Sequence, residues 1–138
     1  MLTFLHVEDN VDDANLFAIA LQLAQAEVLL RRVVNGQYAI DYVEGNGAFA
    51  DRLHYPFPDL VVLDWRLPRL NGAEFLRWRA GSPFATLPVV ILTGVEEQTE
   101  MEEARNSTAQ ATFAKPMSID GLTKIAEQMC QLALRQHA

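Results

Sequence analysis

Five short runs of β-branched and aliphatic residues punctuate the chain, at 2–7 (LTFLHV), 28–34 (VLLRRVV), 59–63 (DLVVL), 88–93 (PVVILT) and 111–114 (ATFA), and five stretches of helical character alternate with them. Val61, Val62 and Leu63 follow one another with no polar residue between them, the pattern of a strand buried on both faces. The first helical stretch, 12–25, opens on DDAN, where Asp12 can cap the first turn, and repeats Leu16, Ile19, Ala20 and Leu23 at helical spacing. The last, 119–135, carries Leu122, Ile125, Ala126, Met129, Leu132 and Ala133 in the same rhythm, with Ser118 placed to cap it. Strict alternation of strand and helix predicts an α/β fold, a parallel sheet with helices on both faces and right-handed crossovers. Ligands of such folds bind outside the carboxyl ends of the strands, where the strand order reverses.

Two regions interrupt the regularity. Residues 44–58 (EGNGAFADRLHYPFP) form a long connection, and Phe49, Tyr55, Phe57 and two prolines predict that it packs rather than floats. Residues 96–110 (EEQTEMEEARNSTAQ) offer only Met101 and Ala104 as an apolar stripe, enough for a short, marginal helix. The acidic run from Glu96 to Glu103 is expected to be a solvated face, with partner binding as its sharper alternative.

Composition narrows the class. The chain has 138 residues, the size of one domain, half of them apolar and about a fifth charged. Eleven basic residues against 18 acidic give a formal charge of −7, which disfavours phosphate-backbone binding, so no nucleic-acid partner is expected. Cys130 is the sole cysteine and cannot form an internal disulfide, and a reducing cytoplasm is the natural setting. The opening MLTFLHVEDN lacks a basic n-region, and no apolar run reaches membrane-spanning length, so neither a signal peptide nor a membrane partner is expected.

Chemistry collects where the strands end. The first run ends on Glu8-Asp9, the third on Asp64, the fourth on Thr93 and the fifth on Lys115-Pro116. Three carboxylates on one rim repel one another unless a cation lies between them, and a hard divalent ion such as Mg²⁺ suits oxygen ligands best. A hydroxyl and an ammonium facing that ion supply what phosphoryl transfer needs, which is positioning and neutralisation of charge. Asp64 can then act as the nucleophile and form an acyl phosphate.

These residues resemble the receiver domains of two-component response regulators. The resemblance spans essentially the whole chain and rests on Glu8-Asp9, on DWRLPRLNG with Pro68 and Gly72 four and eight residues past Asp64, on Thr93, and on Lys115-Pro116. The separations, 29 residues from Asp64 to Thr93 and 22 from Thr93 to Lys115, are similar to the family's. The opening VEDNVDDA and the insertion before DLVVLD look more narrowly like the stand-alone regulators that serve phytochrome-type kinases.

The resemblance implies a single receiver domain over 1–138 with a flavodoxin-like, doubly wound sheet in strand order 2-1-3-4-5. It implies that Asp64 accepts a phosphoryl group from a sensor histidine kinase, and that Glu8, Asp9, Asp64 and the backbone carbonyl of Arg66 hold Mg²⁺. Thr93 and Lys115 are then expected to grip the phosphoryl oxygens. The chain ends soon after the last site-bearing unit, so output is expected through a partner: the kinase, a downstream phosphotransfer protein, or a second copy docked through the fourth-to-fifth-helix face or the 44–58 loop. On this reading the protein is a signalling phosphoacceptor with only self-phosphotransfer and slow self-dephosphorylation.

The chain also departs from the family. The position three residues before Lys115, usually aromatic, holds Thr112; Phe113 follows one residue later and should face the other side of its strand. The Gly-Ala that commonly precedes the fifth strand is missing. Arg66 and Val95, each two residues past a site residue, occupy positions that tune phosphoryl loss in the family; Arg66 is read either as a screen over the in-line path or as a solvated arginine. Beside these stand plainer readings: His6, Trp65, Trp78 and Cys130 as packing residues. One rival function is an aspartyl-nucleophile phosphohydrolase, which needs a carboxylate two residues past the nucleophile, where this chain has Arg66. A flavodoxin-like cofactor binder would want a Ser/Thr/Gly-rich loop where this chain has EDNVDD. A receiver-like docking module independent of phosphorylation is the third.

Overall fold

The apolar runs become five parallel strands: β1 (Leu2–Val7), β2 (Val28–Val33), β3 (Leu60–Leu63), β4 (Val89–Thr93) and β5 (Ala111–Ala114), in the order β2-β1-β3-β4-β5. Five helices connect or follow them: α1 (Val11–Leu23), α2 (Gly36–Glu44), α3 (Gly72–Ala80), α4 (Gln98–Arg105) and α5 (Ile119–His137). The parallel sheet with helices on both faces is the one the alternation predicts, and its flavodoxin-like, doubly wound order is the one the family resemblance implies. The computed structural model describes residues 1–94 and 98–137, so Val95 and the first two residues of the acidic run lie outside the described residues. Among the described residues, no helix is long and apolar enough to cross a membrane.

Because side chains alternate across a strand, each strand feeds two cores. Leu5, Val7, Val61, Leu63, Val89 and Ile91 point to the face covered by α2 and α3, where Ile40, Tyr42, Phe75 and Leu76 meet them. Phe4, Leu60, Val62, Val90 and Leu92 point to the face covered by α1 and α5, against Phe17, Leu21, Ala126 and Met129. Both faces of β3 and β4 are fully covered, which is why their sequences are unbroken runs.

Two expectations for the first helix are corrected. Asn10, not Asp12, is the N-cap, its side chain accepting from the Asp13 amide. The helix buries Ala14, Phe17, Ala20 and Leu21, whereas Leu16, Ile19 and Leu23 are exposed. This helix is apolar nearly all the way round, so the same i, i+3, i+4, i+7 rhythm fits two faces. The largest ring, Phe17, decides which one turns inward. In α5 the expected stripe holds: Ser118 Oγ accepts from the Gly121 amide, and Leu122, Ala126, Met129 and Ala133 are buried.

The 44–58 connection is packed through Phe49 and Tyr55, as expected, whereas Phe57 remains exposed. A 3₁₀ turn (Gly47–Ala50) presents Phe49, which meets Tyr42 and Tyr55 at ring separations of 5.1 and 5.3 Å. Arg52 closes the loop by donating to the carbonyls of Tyr42, Val43 and Tyr55, two of which belong to the last turn of α2.

The loop after β3 is held from behind by Gly72. An added Cβ there would stand 2.7 Å from the Asp64 carbonyl oxygen and 2.9 Å from Trp65 Cα, so only glycine lets α3 approach this closely. Its amide donates to the Trp65 carbonyl at 3.0 Å, and the Asn71–Glu74 capping box starts the helix at the same point.

Candidate functional site

The parallel register brings the ends of β1, β3, β4 and β5 to one rim, and backbone pairing continues just beyond them: Glu8 N–H donates to Val33, Asp64 N–H to Val7 and Lys115 N–H to Thr93. Asp64 is buried at the end of β3. One carboxylate oxygen accepts from the Thr93 hydroxyl at 2.7 Å and the other lies 3.1 Å from Lys115 Nζ. The carboxylate that terminates this apolar strand is thus held by two partners from neighbouring strand ends.

Glu8 is fully buried, its Oε1 2.7 Å from Lys115 Nζ and its Oε2 accepting from the Asn10 amide at 3.2 Å. Burial pushes its pKa up to about 7, with the Asp64 charge adding to the rise and Lys115 and the Asn10 amide opposing it. Asp9 is exposed on the same rim, and Glu8, Asp9 and Asp64 each offer an oxygen within 4.8 Å of the others. Burial by itself would lower the Lys115 pKa. The hydrogen bonds to Asp13 and Glu8 and the Asp64 charge outweigh that and hold the ammonium above the ordinary lysine range.

Glu8, Asp9, Asp64, Thr93 and Lys115 therefore meet at one place. One participant escaped the sequence: Asp13, in the first turn of α1, with Oδ2 2.8 Å from Lys115 Nζ. The strand-end pattern that led to the others does not reach a helical residue. Its only sequence signal is the acid cluster VEDNVDD itself. Three carboxylates, Glu8, Asp13 and Asp64, thus face one ammonium, and Asp9 lies beside Glu8 and Asp64, an excess of negative charge made of hard oxygen donors that fits a divalent cation such as Mg²⁺.

An open pocket of about 280 Å³ lies over this cluster, and Arg66 borders it. The Arg66 side chain is more than half exposed and forms an ion pair of 2.6 Å with Glu100 in the first turn of α4, so it reaches across to a neighbouring helix rather than hanging in solvent. Thr112 Oγ1 donates to the Ala104 carbonyl at 3.2 Å, tying β5 to the end of α4. Phe113 packs into the core shared by α1 and α5, on the opposite side of the strand as its neighbouring position requires.

The packing readings of the remaining aromatic residues hold as well. Trp65 is buried, and Trp78 packs between Phe75 and Phe84. His6 lies 4.7 Å from the Phe17 ring, and burial, with Lys115 and Arg32 nearby, lowers its pKa to about 3. Its Nδ1 has no hydrogen-bond partner among the described residues, so it is a packed histidine but not a fully satisfied one. Cys130 is half-buried and packs against the same core, less interior than its helical position suggests.

A doubly wound parallel sheet with acids, a threonine and a lysine gathered on its carboxyl rim defines an α/β protein whose charged site lies where ligands of this fold bind. The chain belongs to the response regulator receiver domain family, whose model matches residues 4–127. Among curated proteins it is similar to the probable methanogenesis regulatory protein FilR2 of Methanothrix harundinacea, 28% identical over 89% of this chain and 77% of that one. It spans 40% of the longer transcriptional regulatory protein PdtaR of Mycobacterium tuberculosis. Among solved structures it resembles response regulator RPA3017 in red light signaling of R. palustris, at 28% identity and a TM-score of 0.86 over 94% of this chain and 91% of that one. It also resembles the phosphorylated cyanobacterial phytochrome response regulator RcpA, at 25% identity and a TM-score of 0.82 over 96% and 94%.

Proposed function

We propose that Asp64 is a phosphoacceptor that takes its phosphoryl group from a sensor histidine kinase, with residues 1–138 acting as one cytoplasmic receiver unit. The observation that carries this reading is the Asp64 carboxylate held between the Thr93 hydroxyl and the Lys115 ammonium, with Glu8 and Asp9 oxygens close by. In the transfer, an Asp64 oxygen forms the new O–P bond as the N–P bond of the kinase phosphohistidine breaks, and the electron pair leaves with the imidazole. Lys115 donates to the phosphoryl oxygens and offsets their charge, while Thr93 turns its hydroxyl from Asp64 to the incoming group. Glu8, Asp9, Asp64 and the Arg66 carbonyl are the residues that would hold Mg²⁺, which, when bound, supplies further charge neutralisation. Arg66 is not a carboxylate, so the general acid of an aspartyl phosphohydrolase has no counterpart here.

The red-light and phytochrome response regulators among the similar structures support a phytochrome-type kinase as partner. Output then runs through protein contact, onward phosphotransfer or pairing of two copies, and light scattering over a concentration series tests the last.

The decisive experiment is intact mass after incubation with acetyl phosphate and Mg²⁺, beside Asp64→Asn and a metal-free control. One phosphoryl adduct that requires both Asp64 and Mg²⁺ is expected. No adduct at any time, with beryllofluoride also failing to bind, would leave a docking module that works without phosphorylation.

A further inference from the structure

Lys115 is held by more acid than a grip on phosphoryl oxygens needs. Its Nζ lies 2.7 Å from Glu8, 2.8 Å from Asp13 and 3.1 Å from Asp64, so one ammonium faces three carboxylates, hydrogen-bonded to Asp13 and Asp64 and ion-paired with Glu8. The partners differ in what their release costs. Glu8 is fully buried and would be left as an uncompensated interior charge, whereas the Asp13 side chain is 37% exposed and water can replace the lysine. Asp13 is also fixed in place, because its amide donates to the Asn10 side chain that caps α1. A phosphoryl group on Asp64 brings new acceptors and more negative charge, and an ammonium that moves toward them moves away from one of its present partners.

We propose that Asp13 is a positioning residue that holds the Lys115 ammonium in competition with the phosphoacceptor. The exchange of Lys115 from Asp13 to a phosphoryl oxygen then sets how long Asp64 stays loaded. The inference rests on the reading of Asp64 as phosphoacceptor and adds to it a helix-borne counter-ion that ties the first turn of α1 to the chemistry. With Asp13 neutralised, Lys115 leans harder on whatever remains: on the phosphoryl group when Asp64 is loaded, and on Glu8 and Asp64 when it is not. The first lengthens the phosphoryl lifetime, and the second makes Mg²⁺ compete against a better-placed ammonium.

The test compares Asp13→Asn with Asp12→Asn, which removes the same charge from an exposed neighbour in the same turn. Phosphoryl lifetime is followed by intact mass after removal of acetyl phosphate. Mg²⁺ affinity of the unphosphorylated protein is followed by titration calorimetry, alone and in a Lys115→Met background. Relative to Asp12→Asn, Asp13→Asn is expected to lengthen the lifetime and weaken Mg²⁺ binding, each roughly fivefold, the scale of one partly exposed ion pair. The Mg²⁺ effect should vanish in the Lys115→Met background, a coupling that a purely structural role for Asp13 would not give. If Asp13→Asn matches Asp12→Asn on a wild-type chain that does load, or if its Mg²⁺ effect persists without Lys115, this inference alone is overturned. If the wild-type chain never loads, the phosphoacceptor reading is overturned and the inference with it.

Discussion

Lys115 is the residue on which the rim depends, because it is the ammonium that reaches Glu8, Asp13 and Asp64 together. Replacing it by Met leaves the buried Glu8 beside Asp64 with no lysine between them, and breaking such a pair typically costs about 3 kcal/mol or more. The cost should depend on pH. Glu8 has a folded pKa of about 7 against an unfolded value near 4.5, so the folded state binds more protons between those values and this group's contribution falls as pH rises through them. Without Lys115 the folded pKa moves higher still, and the fall continues above pH 7. Urea unfolding at pH 5 and pH 8 is therefore expected to show Lys115→Met close to wild type at the lower pH and clearly weaker at the higher. An equal deficit at both would mean that packing of the lysine stem, not its charge, is what matters. Most of this chemistry was legible in the sequence, since acids, a hydroxyl and a lysine at strand ends must meet if the strands are parallel. Asp13 was not, because an acid in the first turn of a helix is common for reasons of the helix dipole alone.

At the scale of elements, strands were easier to read than helix faces. A run such as VVIL has no polar side and therefore no orientation to mistake, whereas an apolar helix such as α1 offers its rhythm on more than one face, and only the tertiary fit of Phe17 selects the buried one. A short, marginal helix was expected within 96–110 because Met101 and Ala104 are its only apolar stripe, and α4 forms there with Ala104 buried; contacts remote in sequence, Arg66 to Glu100 and Thr112 to Ala104, hold it to the loop after β3 and to β5, and these no local pattern discloses. The Asn71-Gly72 pair shows the opposite case, a short motif with a mechanical reason. Gly72→Ala should push its new methyl into the backbone of Asp64 and Trp65, costing about 1–3 kcal/mol as overpacking does. Gly81→Ala, where the nearest atom is 4.0 Å away, should change stability far less. Chemical denaturation of the two variants checks this, and similar losses would show that the loop after β3 yields to α3 rather than being clamped by it.

Across the whole molecule the −7 charge and the acidic rim make opposite demands on the interpretation of any metal effect. A divalent salt stabilises a strongly acidic chain by screening alone, and that contribution is not specific to a site. Binding at Glu8, Asp9 and Asp64 adds a separate linkage: a ligand that binds only the folded state stabilises by RT ln(1 + [L]/Kd), about 1.4 kcal/mol at ten times Kd. For a chain of this length that corresponds to a rise in Tm of roughly 5 °C. The two contributions separate in Asp9→Asn and Asp64→Asn, which lose ligands but keep nearly all of the net charge. Thermal unfolding should therefore show a Mg²⁺-dependent rise in wild type that saturates at millimolar metal, shrinks in both variants and is not reproduced by NaCl of equal ionic strength. A rise of the same size in Asp9→Asn, Asp64→Asn and NaCl would assign the stabilisation to screening and remove the carboxylate cluster as a metal site. Lys115 sharpens the distinction, since it contacts Glu8 and Asp64: specific binding has to displace an ammonium, whereas screening does not. Lys115→Met should consequently show a larger Mg²⁺-dependent rise than wild type, the reverse of what its lower starting stability would suggest.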